Sequence, residues 1–238
     1  MAETDFTLFG ADAATIKRGV TAGIQPPNGG GNFVFGFNSQ VASKQAVGLY
    51  HNQGDFSPLV DGSSNPTGCS VRGVLQRGVS TAPVGFATGL FGCLQGASAP
   101  TISDVGYILS LADNDPSEIR LIKGTPLSMV SLAADSTTIL RSSSANYLWG
   151  TWLQLRLDVI VNPNGDVILR CFQSDLNTYP VSNPNWQPIS GMDDFVDDAL
   201  GINSNSNPLA GGWGGWCFAA SIDGGRGFVD HFELHRQA

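Results

Sequence analysis

The sequence predicts an all-β fold, a two-sheet antiparallel jelly-roll sandwich led by a short N-terminal arm. Three observations predict it. In Trp152–Val161 the residues Leu153, Leu155, Leu157, Val159 and Val161 are aliphatic, while Gln154, Arg156 and Asp158 between them are polar. Side chains of a strand point to opposite faces in turn, so this alternation marks a half-buried strand. Glycine is abundant, 30 of 238 residues, and recurs with Ser, Pro and Asn, which suits short strands joined by tight turns. Hydrophobic residues make up 42% of the chain and charged ones only 13%, about half the usual 25% or so. A real core is therefore available, with a sparsely charged surface around it.

The elements follow in order. Residues 1–31 read as the arm, with a short helix over 11–18 capped by Asp12 and ended by Gly19, Gly23 and the run from Pro26 to Gly31. Residues 32–238 read as one sandwich domain, without repeats or a long linker. Phe33, Phe35 and Phe37 share a strand face, and Gln45–His51 is a second short strand. Shorter strands are expected at 71–75 and Phe86–Leu94. Gly106–Leu111 and 118–123 form a hairpin through Asp113, Asn114, Asp115 and Pro116, and another strand is expected at 127–132. After Trp152–Val161, the turn Asn162-Pro163-Asn164-Gly165-Asp166 sends 167–172 back antiparallel, Asn-Gly being favoured where positive φ is needed. A helical turn is expected at 193–200. Trp213 and Trp216 open the penultimate strand, and 227–234 closes the chain with Phe228, Phe232 and Leu234 on one face.

Charge and composition exclude several function classes. The net charge is −8, and the only adjacent basic pair is Lys17-Arg18, so nucleic acid is not an expected partner, because phosphate contact needs clustered cations. Of the 20 acidic residues, all but Glu3, Glu118 and Glu233 are aspartates, which belong at turns. The start of the chain has no basic segment followed by an apolar run, so no secretory signal is expected, and no apolar stretch is long enough for membrane insertion. Cys69, Cys93, Cys171 and Cys217 are far apart and lack metal spacing, so free buried thiols are expected in a reducing cytoplasm.

Catalytic patterns are missing too. There is no Gly-x-Ser-x-Gly elbow, phosphate-binding glycine loop or His-Glu-x-x-His helix. His231 and His235 share a strand face without a third ligand. The chain is expected not to be an enzyme.

The second half resembles the concanavalin A-like, or laminin-G-like, jelly-roll superfamily. The resemblance rests on Trp152 opening a long alternating strand that turns through Gly165-Asp166, on Trp186 in the connection that follows, and on the glycine-rich approach around Trp213 and Trp216 to a closing strand with Asp230 at its middle. Glycosidases of this superfamily have a strand with Glu-x-Asp-x-Glu, which places two carboxylates about 5 Å apart for retaining hydrolysis. Here Glu118 and Glu233 are each isolated from a second acid at that spacing. The resemblance implies two binding possibilities. Calcium takes about six to eight oxygens, and Asp193, Asp194, Asp197 and Asp198 are its candidate ligands, although acids also favour a helix start. No cofactor is expected, with calcium the one candidate. Sugar binding needs an exposed aromatic beside amides and carboxylates. Trp186, Trp213, Trp216 and Tyr179, with Asn183, Asn185 and Asn205, could supply this, and core packing is the competing use of the same aromatics.

The general character of the chain is also similar to that of tailed-bacteriophage virion proteins. The leading expectation is therefore a non-enzymatic virion subunit, a head-decoration or tail-associated protein assembled in a host cytoplasm. Its partners would be other copies of itself and other virion proteins. The alternative is a carbohydrate-binding module that recognises host-surface glycans.

Overall fold

A computed structural model describes residues 6–10, 16–20, 35–40, 42–51, 67–78, 84–112, 117–130, 138–148, 150–174, 184–198 and 207–237. The strands are β1 (Phe6–Gly10), β2 (Ile16–Val20), β3 (Phe35–Ser39), β4 (Gln45–His51), β5 (Thr67–Arg77), β6 (Phe86–Leu94), β7 (Gly106–Leu111) and β8 (Ser117–Gly124). After a 3-10 turn (Pro126–Val130) come β9 (Thr138–Tyr147), β10 (Trp152–Val161), β11 (Val167–Ser174), β12 (Gln187–Pro188), β13 (Phe195–Asp197), β14 (Trp213–Ala220) and β15 (Arg226–Gln237). They form two antiparallel sheets. Sheet A has seven strands in the order β1-β4-β14-β6-β7-β8-β9. Sheet B has eight, in the order β12-β11-β10-β5-β15-β3-β2, with β13 also pairing β11. The expected all-β jelly-roll sandwich is the fold.

Alternation in β10 works as its sequence implies. Leu155, Leu157 and Val159 are fully buried against sheet A, while Arg156 is half-buried on the other side. The inter-sheet core centres on Trp216, whose ring stacks on Phe37 at 5.1 Å and 8°. Its indole Nε1–H donates to Thr88 Oγ1 at 2.6 Å, so this large side chain is buried without an orphaned donor. All four cysteines are buried free thiols. Burial pushes the Cys171 and Cys217 thiols well above their ordinary range.

Sheet A is covered on its other side as well. A second apolar cluster joins Phe9, Phe91, Ile108, Trp213 and Cys217 to Met129 and Val130. The latter two belong to the 3-10 turn, where a strand over 127–132 was expected. Pro126 suits a first helical turn, and the Thr125 carbonyl accepts from both the Ser128 backbone N–H (2.9 Å) and its hydroxyl (2.6 Å). The segment thus turns back over a sheet face rather than adding a strand at an edge.

Three other expectations are corrected. Where a helix over 11–18 was expected, Ile16–Val20 pairs antiparallel with β3, and a ladder satisfies backbone groups that a helix broken at Gly19 would have left open. Within residues 1–31, then, β1 pairs into sheet A and β2 into sheet B. Where a helical turn over 193–200 was expected, Phe195–Asp197 is a strand on β11, with Phe195 and Asp197 buried and Val196 exposed between them. Finally, Phe228 does not share a face with Phe232. A bulge between Asp230 and Glu233, with His231 at φ +46°, shifts the alternation by one residue. Phe232 enters the inter-sheet core, whereas Phe228 lies over Gly36 on the outer side of sheet B. The hairpin turn expected at 113–116 lies outside the described residues.

Candidate functional site

The outer side of sheet B carries polar and charged side chains, several of them buried, among them Ser70, Gln76, Gln154 and Asp158 beside the buried Val74 and Phe228. The register of its strands lays side chains in rows across it. One row runs from Pro188 (β12) through Phe172 (β11), Arg156 (β10) and Arg72 (β5) to Glu233 (β15). The next joins Ser174, Gln154, Val74 and Asp230. Trp186 stands at the β12 end of that second row, one step beyond the Gln187–Gln173 pair. In the third row, Trp152 faces Gln76. Trp186 thus stands beside Ser174, one strand from it, and Trp152 lies one row further along β10 from Gln154.

Ion pairs organise the charges of this face. Arg156 meets both carboxylate oxygens of Asp158, with its Nε–H donating to Oδ1 at 2.7 Å. Its guanidinium lies over the rings of Phe172 (4.8 Å) and Trp186 (5.8 Å), which fixes the indole from beneath. Arg72 Nε forms an ion pair with Glu233 Oε2 at 2.7 Å, while His231 and His235 approach the same carboxylate at 3.1 and 3.0 Å. Partial burial opposes ionisation of Glu233, yet the contact with His235 and the charge of Arg72 outweigh it and hold this carboxyl below its ordinary range. Arg170 pairs with Asp194 at 2.8 Å.

Two polar atoms beside these aromatics have no partner. Gln154 is only 4% exposed, and its Oε1 accepts no hydrogen bond. Ser174 Oγ, on the residue paired with it across β10 and β11, is buried and unpartnered as well. Leaving a buried polar group unpaired costs about 1–3 kcal/mol. A ligand hydroxyl would recover that cost once the side chains that cover the two atoms move aside.

The residues singled out in the sequence part company here. Trp186 is half-buried at this face, and Asn185 is exposed beside it, its side-chain carbonyl accepting from Gln187 Nε2–H at 2.9 Å. Trp213 is not a partner of Trp186. It is 9% exposed on the outer side of sheet A, against Tyr50 at 4.9 Å, and its Nε1–H donates to the Gly96 carbonyl at 3.2 Å. Regular alternation along β14 puts it there with Cys217 and Ala219, so Trp213 and Trp186 lie on different sheets and do not share a site. Trp216 is core. Tyr179, Asn183 and Asn205 lie outside the described residues. Sequence reasoning missed Gln154, Ser174, Arg156 and Arg72 as site residues; the polar side of the alternating strand, read only as solvent-facing, was the available signal.

The four candidate metal ligands do not converge. Asp193 is exposed, Asp194 is held by Arg170, and Asp197 turns inward on β13 while Asp198 is half-buried. Asp197 Oδ2 accepts from Lys123 Nζ at 2.6 Å and from the Tyr107 hydroxyl at 2.5 Å, so a lysine ammonium already neutralises that carboxylate. Among the described residues no group of three or more His, Cys, Asp or Glu side chains is placed to hold a metal ion. Tyr107 receives a hydrogen bond from the Leu209 backbone N–H at 2.8 Å. Burial first, and then the contact with Asp197, push its phenol well above its usual range.

No family model matches the chain, and no curated protein matches it. Solved structures do. The exoplasmic/lumenal domain of VIP36, in a form bound to Ca2+ and Man3GlcNAc, aligns with a TM-score of 0.52 over 98% of this chain and 84% of its own, at 12% identity. Peanut lectin, solved with a nine-residue peptide, aligns with a TM-score of 0.50 over 100% of this chain and 94% of its own, at 8% identity. At such identities the likeness is one of fold, and it agrees with the concanavalin A-like jelly roll expected from the second half of the sequence. The virion-subunit expectation is corrected by it. That reading rested on composition and general character, whereas the structures that share this fold over nearly the whole chain include peanut lectin and a Man3GlcNAc-bound lumenal domain, and neither is a virion protein.

Proposed function

We propose that the chain is a non-catalytic carbohydrate-binding domain that takes its glycan on the outer side of sheet B. The observation that carries this reading is the pair of unpartnered buried atoms, Gln154 Oε1 and Ser174 Oγ, beside the half-buried Trp186. An aromatic plane with a few convergent polar groups is the usual chemistry of a small-molecule site, and a sugar offers both an apolar ring face and hydroxyls. Trp186 is seated on the Arg156 guanidinium, so its orientation is set before any ligand arrives. Such preorganisation reduces the ordering cost of binding.

Glycan-array screening followed by isothermal titration of the best ligand tests the reading. Buried tryptophans at binding hot spots contribute about 2 kcal/mol or more, so Trp186→Ala should weaken binding by about 30-fold. Gln154→Ala, which removes one hydrogen bond worth about 1 kcal/mol, should weaken it by roughly fivefold. Silence on a broad array, or a Trp186→Ala protein that binds as well as the parent, would sink the reading.

A further inference from the structure

We infer that this face selects uncharged glycans and discriminates against uronates, sulfated sugars and other acidic ones. The inference rests on the carbohydrate-binding reading above and names the ligand class for the same surface. Among the described residues, the arginines that β5, β10 and β11 place on that side of sheet B are each held by a carboxylate: Arg156 by Asp158, Arg72 by Glu233 and Arg170 by Asp194, while the exposed Arg226 lies apart on β15 beside β3. Asp158 takes both the Nε–H and an Nη2–H of Arg156. That two-pronged geometry is the one an incoming uronate would need, and it is occupied.

The unpartnered Gln154 Oε1 selects in the same direction. Gln154 Oε1 is an acceptor, so it needs a donor from the ligand. A sugar hydroxyl donates, whereas an ionised carboxylate or sulfate only accepts. An anionic group placed there would meet the Gln154 carbonyl oxygen with no proton to share. At longer range the whole chain carries a net charge of −8, which slows the approach of a polyanion. Local pairing and global charge thus favour a neutral hydroxyl-rich ring.

The test compares matched ligands on the full chain: a neutral gluco-oligosaccharide series, its glucuronate counterpart and its sulfated counterpart, each at low and moderate salt. The unmodified protein should bind neutral members at least tenfold more tightly than the acidic ones, with neutral binding insensitive to salt. Asp158→Asn frees the Arg156 fork and should shrink that ratio toward one. Because Asp158 is buried, Glu233→Gln provides a second, more exposed release of an arginine, expected to shrink the ratio in the same direction, and thermal melts establish that each variant is folded. Preference of the unmodified protein for acidic members would overturn the inference while leaving glycan binding intact. So would a ratio unmoved in both folded variants. No binding to any member of a broad panel would remove the carbohydrate reading and this inference together.

Discussion

The outer side of sheet A carries Ala46, Ala87, Cys217 and Ala219 beneath Met129 and Val130, whereas the outer side of sheet B carries Gln154, Arg156, Asp158 and Glu233. The sequences of the strands record the difference. Every residue of β6, β7 and β14 is buried, and these strands read as runs of small and apolar residues without alternation. In β10 polar and aliphatic residues alternate. A strand covered on both faces has no polar side to display, while a strand with one outward face must supply groups that tolerate water or a ligand. Close layering also restricts sheet A at particular points. A Cβ on Gly215 would lie 2.0 Å from the Leu49 carbonyl oxygen and 2.4 Å from the Phe91 ring. Sheet A therefore serves cohesion, and the outer side of sheet B carries the polar and charged side chains on which the proposed recognition rests.

The sharpest break of that contrast is a pair of tryptophan deletions. Trp213→Ala empties a packed position on the outer side of sheet A, and removal of a buried aromatic costs about 3–5 kcal/mol. For a domain of this size each kcal/mol shifts Tm by about 2–4 °C, so a fall of roughly 10 °C or more is expected. Trp186→Ala, at the half-buried rim of sheet B, should stay within about 1 kcal/mol of the parent. Melting curves of both proteins give the comparison. Equal damage from the two changes would mean that the outer side of sheet B is as structural as that of sheet A.

The second test concerns the seam where the sheets meet, at Tyr107 and Lys123 of sheet A and Asp197 of sheet B. Tyr107 keeps its proton in the folded state far above its usual range, because burial and the neighbouring carboxylate both disfavour the phenolate. The unfolded chain releases that proton near pH 10. Stability from this group is thus complete below about pH 10 and falls as pH rises beyond it, since the unfolded state then binds fewer protons than the native one. Tyr107→Phe should make alkaline unfolding measurably shallower, after an initial loss of about 1.5–3 kcal/mol for a hydrogen bond to a charged group. Denaturant titrations between pH 8 and about pH 11 measure the slope. A slope unchanged by the substitution would show that Tyr107 does not hold its proton as its surroundings require.

Much of this architecture was legible from periodicity alone. Phe86–Leu94, Gly106–Leu111 and Trp152–Val161 are strands with the limits their sequences suggest. Local pattern fails where a distant partner decides. Ile16–Val20 is a strand because β3 offers it a ladder, and Phe228 leaves the face of Phe232 because one inserted residue in β15 reverses the alternation. The site shows the same division. Trp186 and Asn185 could be named from their loop context, and the polar side of β10 was visible. That Arg72, Arg156 and Glu233 form one row depends on the register of three strands far apart in the chain, which no local window contains. Trp213 was misplaced for a different reason: its chemistry suits a sugar platform, but it shares the side of β14 that carries Cys217 and Ala219, and the 3-10 turn from elsewhere in the chain covers that side.

The smallest effect concerns whether the charges on the outer side of sheet B serve stability at all. Glu233 ionises more readily in the folded chain than an ordinary glutamate, despite partial burial, because His235 and Arg72 stabilise its carboxylate. A lowered folded pKa contributes stability that is present above the unfolded value, near pH 4.3, and that fades as pH falls through the folded value. The Tm gap between the parent and Glu233→Gln should therefore be present at pH 6 and close below about pH 4. Its size should be small, since the carboxylate is more than one-third exposed and pairs of that kind contribute about 0–1 kcal/mol. A gap as wide as that of Trp213→Ala would place Glu233 among the groups that hold the sandwich together and erase the division of labour between the two outer faces. A narrow gap, together with a changed glycan preference in the same variant, would place its charge where the arginine pairing does: in recognition.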